Sequence, residues 1–154
     1  MDRLTRLMHQ HHGHCDEVFA AAEAAARSAD WPSCADSFAR FRADLLGHLD
    51  VEEGRIFPAF ERQTGNAGGP TRVMRSEHDE MRELLSWLDD ALAARDADAF
   101  GDATETLLIL MQQHNMKEEN ILYPMCDQVL GGDAAAFGAL MGEVEQALAE
   151  VSHG

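Results

Sequence analysis

The sequence predicts an all-α protein, an antiparallel up-down-up-down four-helix bundle with a short extra C-terminal helix. Apolar residues recur at spacings of three and four along almost the whole chain. No stretch alternates apolar and polar residues as a half-buried strand would. The breaks between periodic segments are short, which sets consecutive helices side by side and antiparallel.

The first helix is expected over about residues 3–28 and ends in an alanine-rich stretch. Asp30, Trp31, Pro32 and Ser33 then supply a cap and a first turn for a second helix reaching about residue 62. Its buried stripe reads Phe38, Phe41, Leu45, His48, Glu52, Ile56, Ala59. The glycine-rich stretch from Thr64 to Gly69 is the clearest loop, and Pro70 is placed to start the third helix, with Met74, His78, Met81, Leu85, Leu88 and Leu92 on one face. Ala97 and Asp98 open the fourth, whose stripe is Leu107, Met111, His114, Glu118, Ile121, Met125. Gly131 and Gly132 end it, and Asp133 can cap a fifth helix to about residue 151, expected on the outside or over one end. Residues 1–154 read as one domain.

Twelve basic against 28 acidic residues give a formal charge of −16, which repels phosphate backbones and anionic membranes. Nucleic-acid and membrane partners are therefore not expected. No apolar run approaches the roughly 20 residues of a membrane span, and the N-terminus lacks the pattern of a signal peptide. Cys15, Cys34 and Cys126 form no regular disulfide framework. The expected address is cytoplasmic.

The chemistry lies in an internal repeat. His48, Glu52, Glu53, Ile56, Phe57 and Pro58 are matched at the same offsets by His114, Glu118, Glu119, Leu122, Tyr123 and Pro124. On a helix, positions i and i+4 share a face, so each copy aims one imidazole and one carboxylate the same way. Both pairs fall on the stripe that should be buried. An unpaired carboxylate is costly there, and a bound dication removes the difficulty. Residue counts add a shared height. His12 to its helix end and the next helix start to His48 are each about sixteen residues, and the counts around His78 and His114 are about seventeen and sixteen. Equal counts in antiparallel helices mean equal height.

The expected ligand set is thus His48, Glu52, His78, His114, Glu118 and one first-helix histidine, taken as His12, although a second stripe through Leu4, Met8, His11 and Cys15 fits as well. If both carboxylates bridge two metals, each metal has two histidine nitrogens and two carboxylate oxygens. An oxo or hydroxo bridge would still leave a position for a small ligand. Nitrogen and oxygen donors without thiolate suit iron or manganese, and zinc less well, so two non-haem iron ions are expected. Glu53 and Glu119 turn away from the ligand face and are expected to be solvated or to support the ligands from outside. Phe57 and Tyr123 read as core, Cys15 as a small buried apolar residue, and Pro58 and Pro124 as points where a helix bends or ends.

The paired H-x-x-x-E motifs, the lone His78 on the third helix and the proline ten residues after each motif histidine resemble the hemerythrin-like, or HHE cation-binding, family over about residues 8–128. The resemblance implies a four-helix bundle around a di-iron site. It further implies binding or sensing of O2 or another diatomic, or a part in nitric-oxide and peroxide responses, including repair of iron centres. The family's first-helix pattern is met best by His12, Cys15, Asp16 and Phe19, with His11 or His14 as extra or alternative ligands. Two positions depart from the oxygen carriers: Met74 stands where they have a further histidine, and Glu118 follows His114 by four residues where they place an aspartate at five. The leading expectation is a module that binds or senses O2, nitric oxide or peroxide at an open iron site. The alternatives are a peroxide- or nitric-oxide-reactive or iron-donating repair protein, and a structural or regulatory helical protein with zinc or no metal.

Overall fold

The computed structural model describes residues 2–153. Four rods form the bundle. The first is α1 (Arg3–Arg27). The second joins α2 (Trp31–Val51), a π-helical turn over Glu52–Ile56, and α3 (Phe57–Thr64). The third is α4 (Pro70–Ala94), and the fourth joins α5 (Ala97–Lys117), a second π turn over Glu118–Leu122, and α6 (Tyr123–Leu130). The extra helix α7 (Ala134–His153) lies on the outside, mainly along α2 and the first π turn.

Local chemistry sets most boundaries. The Asp30 side chain accepts from the Ser33 amide at 3.2 Å, with Pro32 in the first turn of α2. Asp96 and Asp133 accept from Ala99 and Ala136 at 3.1 Å and cap α5 and α7. Gly65 closes α3 at φ 68°, a left-handed position that suits glycine. The start of α1 is capped from another rod. Asp127, buried on α6, accepts from the Leu4 and Thr5 amides at 3.0 and 3.1 Å and from the Thr5 hydroxyl at 2.7 Å.

The core has two apolar clusters. One, towards the α1–α2 and α4–α5 connections, holds Phe19, Phe38, Phe41, Leu85, Leu88, Phe100 and Leu107. The other holds Leu4, Met8, Phe57, Phe60, Met74, Tyr123 and Cys126, together with Met141, Val144 and Leu148 of α7. Helix α7 approaches closely at Gly47, where a β-carbon would meet the Val151 side chain at 2.4 Å.

The prolines do not end their helices. In each repeat the wider π turn lets the amide of Phe57 or Tyr123 bond the carbonyl of Glu52 or Glu118, five residues back. Pro58 and Pro124 then fall in the first turn of a new α-helical segment, where their missing N–H costs little. The same turn corrects the buried stripe. Leu122, Tyr123 and Cys126 are buried, whereas Ile121 is 56% and Met125 37% exposed. In the first copy Phe60 replaces Ala59 as the buried residue. One extra residue per turn shifts the face by one position.

Candidate metal centre

Between the two apolar clusters lies one polar layer. His48, Glu52, His78, His114 and Glu118 are at most 2% exposed and His12 is 6% exposed. The structure brings all six expected ligands together. Within each repeat the i, i+4 geometry sets His48 Nε2 3.2 Å from Glu52 Oε1, and His114 Nε2 3.2 Å from Glu118 Oε2. The other two rods complete the layer, with His78 Nε2 3.3 Å from Glu52 Oε1 and His12 Nε2 3.3 Å from Glu118 Oε1.

Two groups of donors result. Ligand atoms of Glu52, His78, His114 and Glu118 all lie within 4.8 Å of one another, as do those of His12, His48 and Glu118. Glu118 belongs to both and can bridge. Glu52 Oε1, His78 Nε2, His114 Nε2 and Glu118 Oε2 are buried without a hydrogen-bond partner. Buried polar atoms are ordinarily satisfied, and four converging orphans fit a cation.

The imidazoles are held from behind. His78 Nδ1 meets Glu53 at 2.6 Å, His114 Nδ1 meets Glu77 at 2.8 Å, and His12 Nδ1 meets Glu119 at 2.7 Å. Each carboxylate has a cationic or titratable partner farther out. Arg82 lies 2.8 Å from Glu53 and Lys117 2.5 Å from Glu77, while His9 contacts Glu119. Such carboxylates fix the ring orientation and raise ligand basicity. Glu53 and Glu119, the second acids of the repeated motif, thus orient histidines on neighbouring rods. Glu77 had no sequence signal beyond its place beside His78.

His48 differs. Its Nδ1 meets His11 Nδ1 at 2.8 Å, and the two rings stack at 4.9 Å. His11 therefore stands behind His48 rather than in the layer. Burial and the adjoining His48, His14 and His12 rings push its pKa down to about 3, so it is neutral. His14 bonds Asp44 at 2.8 Å, away from the centre.

Tyr123 was read as core and does more. Its fully buried hydroxyl lies 2.8 Å from Glu52 Oε2 and 2.9 Å from Glu118 Oε1, within reach of both carboxylates. The π turn explains the reach, because the fifth residue after Glu118 lies one wide turn below it. Burial and the two carboxylates push its pKa well above the ordinary value, so the hydroxyl keeps its proton. Phe57, at the matching position, stacks on His78 instead.

Protons on the imidazoles can also meet part of the negative charge of Glu52 and Glu118 in this layer. Burial opposes the charged form of His12, but Glu118 and Glu119 outweigh it and raise the pKa to about 10. At His114 burial is likewise outweighed, by Glu118, Glu52 and Glu77, and the value reaches about 9. On the side away from Tyr123, a void of about 10 Å³ touches His12, His48 and His114. Cys15, Leu45, Leu49, Met81 and Met111 give it apolar walls, with Asp16 and Asn115 at its edge. It has room for about one water-sized molecule.

A model of the hemerythrin HHE cation-binding domain matches residues 3–126. The chain belongs to this family. Two similar proteins are both named iron–sulfur cluster repair protein YtfE. The one from Enterobacter sp. (strain 638) is 32% identical over 90 residues, covering 53% of this chain and 41% of the relative. The one from Escherichia coli O81 (strain ED1a) is 30% identical over 109 residues, covering 62% of this chain and 50% of the relative. This HHE domain thus spans half or less of the curated relatives it matches. No solved structure matches at the same stringency. No helix among the described residues is long and apolar enough to cross a membrane.

Proposed function

We propose that this HHE domain holds two iron ions between His12, His48, Glu52, His78, His114 and Glu118, and supplies iron to damaged iron–sulfur centres. The observation that carries the metal reading is the set of orphaned, converging donors at Glu52, His78, His114 and Glu118. The repair reading draws on the names of the two relatives, and it was the alternative to sensing in the sequence expectations. An all-nitrogen-and-oxygen donor set suits iron without locking it as thiolates would. Bound iron would supply exchangeable metal and redox chemistry at this layer.

The chain's own residues divide the labour. Glu52 and Glu118 bring negative charge into an apolar core and can bridge. The four imidazoles offer Nε2 while Glu53, Glu77 and Glu119 hold the Nδ1 proton on three of them. Tyr123 donates a hydrogen bond to a carboxylate while keeping its proton, and closes the centre from below. Leu45, Leu49, Met81 and Met111 exclude bulk water from above.

The test is transfer. Iron-loaded protein should restore cluster assembly on an apo-protein at the expense of its own iron; retention of all iron beside a competent acceptor would refute the reading. The small void favours a second reading, in which O2, nitric oxide or peroxide reaches the same centre. That reading predicts a new visible charge-transfer band when the reduced, iron-loaded protein meets O2, and an unchanged spectrum would count against it.

A further inference from the structure

The two halves of the layer are built unequally, and resting on the iron-donor reading we infer that the ion held by His12 and His48 is the one given up, while the ion held by His78 and His114 stays. Three observations carry this. The α4–α5 half has four residues whose ligand atoms lie within 4.8 Å, and the α1–α2 half has three. Glu118 Oε2, beside His114 Nε2, has no hydrogen-bond partner, whereas Glu118 Oε1, the oxygen beside His12 Nε2, already faces the Tyr123 hydroxyl at 2.9 Å. A lone pair that accepts a proton donor is a poorer donor to a metal.

The third difference lies behind the rings. His78 and His114 both rest on carboxylates neutralised by a fixed cation, Arg82 or Lys117. His48 rests on His11. With His48 Nε2 turned to the centre, its Nδ1 carries the proton and donates to His11 Nδ1, which puts the His11 proton on Nε2. That atom is buried and without a partner, so nothing beyond it strengthens the pair. A neutral imidazole cannot raise the basicity of His48 as a carboxylate would. Removing such outer support typically changes metal affinity by roughly 10–100-fold. His11 is thus a positioning residue that keeps one half of the centre weak.

The test loads the full chain with ferrous iron, adds excess chelator, and follows iron release by absorbance and retained iron by elemental analysis. Wild-type protein should release one ion per chain quickly and the second slowly. His11→Glu should slow the fast phase about tenfold or more and leave the slow phase unchanged. His11→Gln, which keeps a neutral partner, should release like wild type. Glu77→Gln should speed only the slow phase. A single phase for both ions, a fast phase indifferent to His11→Glu, or a fast phase that responds to Glu77→Gln would overturn the assignment. Two-phase release with these responses but no transfer to an apo-cluster acceptor would sustain the asymmetry and overturn the donor reading alone.

Discussion

Six side chains from four rods meet in a space a few ångströms across, and each donor is aimed by something behind it. The candidate pairs of the layer were legible in the sequence because His48 with Glu52, and His114 with Glu118, are local pairs on one helical face. Of the outer carboxylates, Glu53 and Glu119 were expected either solvated or supporting the layer from outside, but the rings they hold, and Glu77 altogether, were not legible. Glu53, Glu77 and Glu119 act on rings from other rods, and no spacing rule reaches across helices. Tyr123 was hidden for a related reason, since only the π turn lets its hydroxyl reach both Glu52 and Glu118. Two outcomes belong at this scale. Glu118→Ala should abolish both iron binding and the rise in Tm that iron gives the wild type, because a cation bound only by the folded state stabilises it; unchanged iron content would refute the bridging role. Glu119→Gln should weaken iron binding by roughly 10–100-fold through His12, as read by competition with a chelator. Wild-type affinity in that variant would dismiss the outer carboxylate.

Helix boundaries followed from caps and glycines, and the third helix was placed from Pro70 with its buried stripe from Met74 to Leu88. The second and fourth rods were placed correctly in extent but wrongly in phase beyond Ile56 and Glu118. Periodicity of 3.6 assigned Ile121 and Met125 to the core, where the extra residue of the π turn puts Leu122, Tyr123 and Cys126. A proline ten residues after each histidine was the available signal, read as a bend. Elements are also tied to one another by buried polar contacts. Asp127→Ala should cost about 1–3 kcal/mol, measured by urea denaturation, because two α1 amides and the Thr5 hydroxyl lose their acceptor. A change within a few tenths of a kcal/mol would show that α1 starts without that cap. Gly47→Val should push α7 away from α2, since even a β-carbon meets Val151 at 2.4 Å. The readout is faster hydrogen exchange in α7, and wild-type protection would deny the close approach.

Across the molecule, the polar layer divides a core that would otherwise be continuous, and the metal-free protein bears the consequences. His12 and His114 hold protons up to about pH 10 and 9, against 6.5 for the unfolded chain. Their contribution to stability is therefore complete below about pH 6.5. It is lost as pH rises through the folded values. His11, buried and neutral, acts in the opposite sense below that pH. The Tm of the metal-free protein should accordingly fall between pH 6.5 and 10, and a Tm that rises across that window would contradict the protonated layer. Iron would take the place of those protons. The most direct test of the account is iron per chain in protein purified from iron-replete cells, measured by elemental analysis beside protein and zinc. Two iron ions per chain, lost together in Glu118→Ala, is the expected result; a chain that holds no iron, or a single zinc, would contradict it.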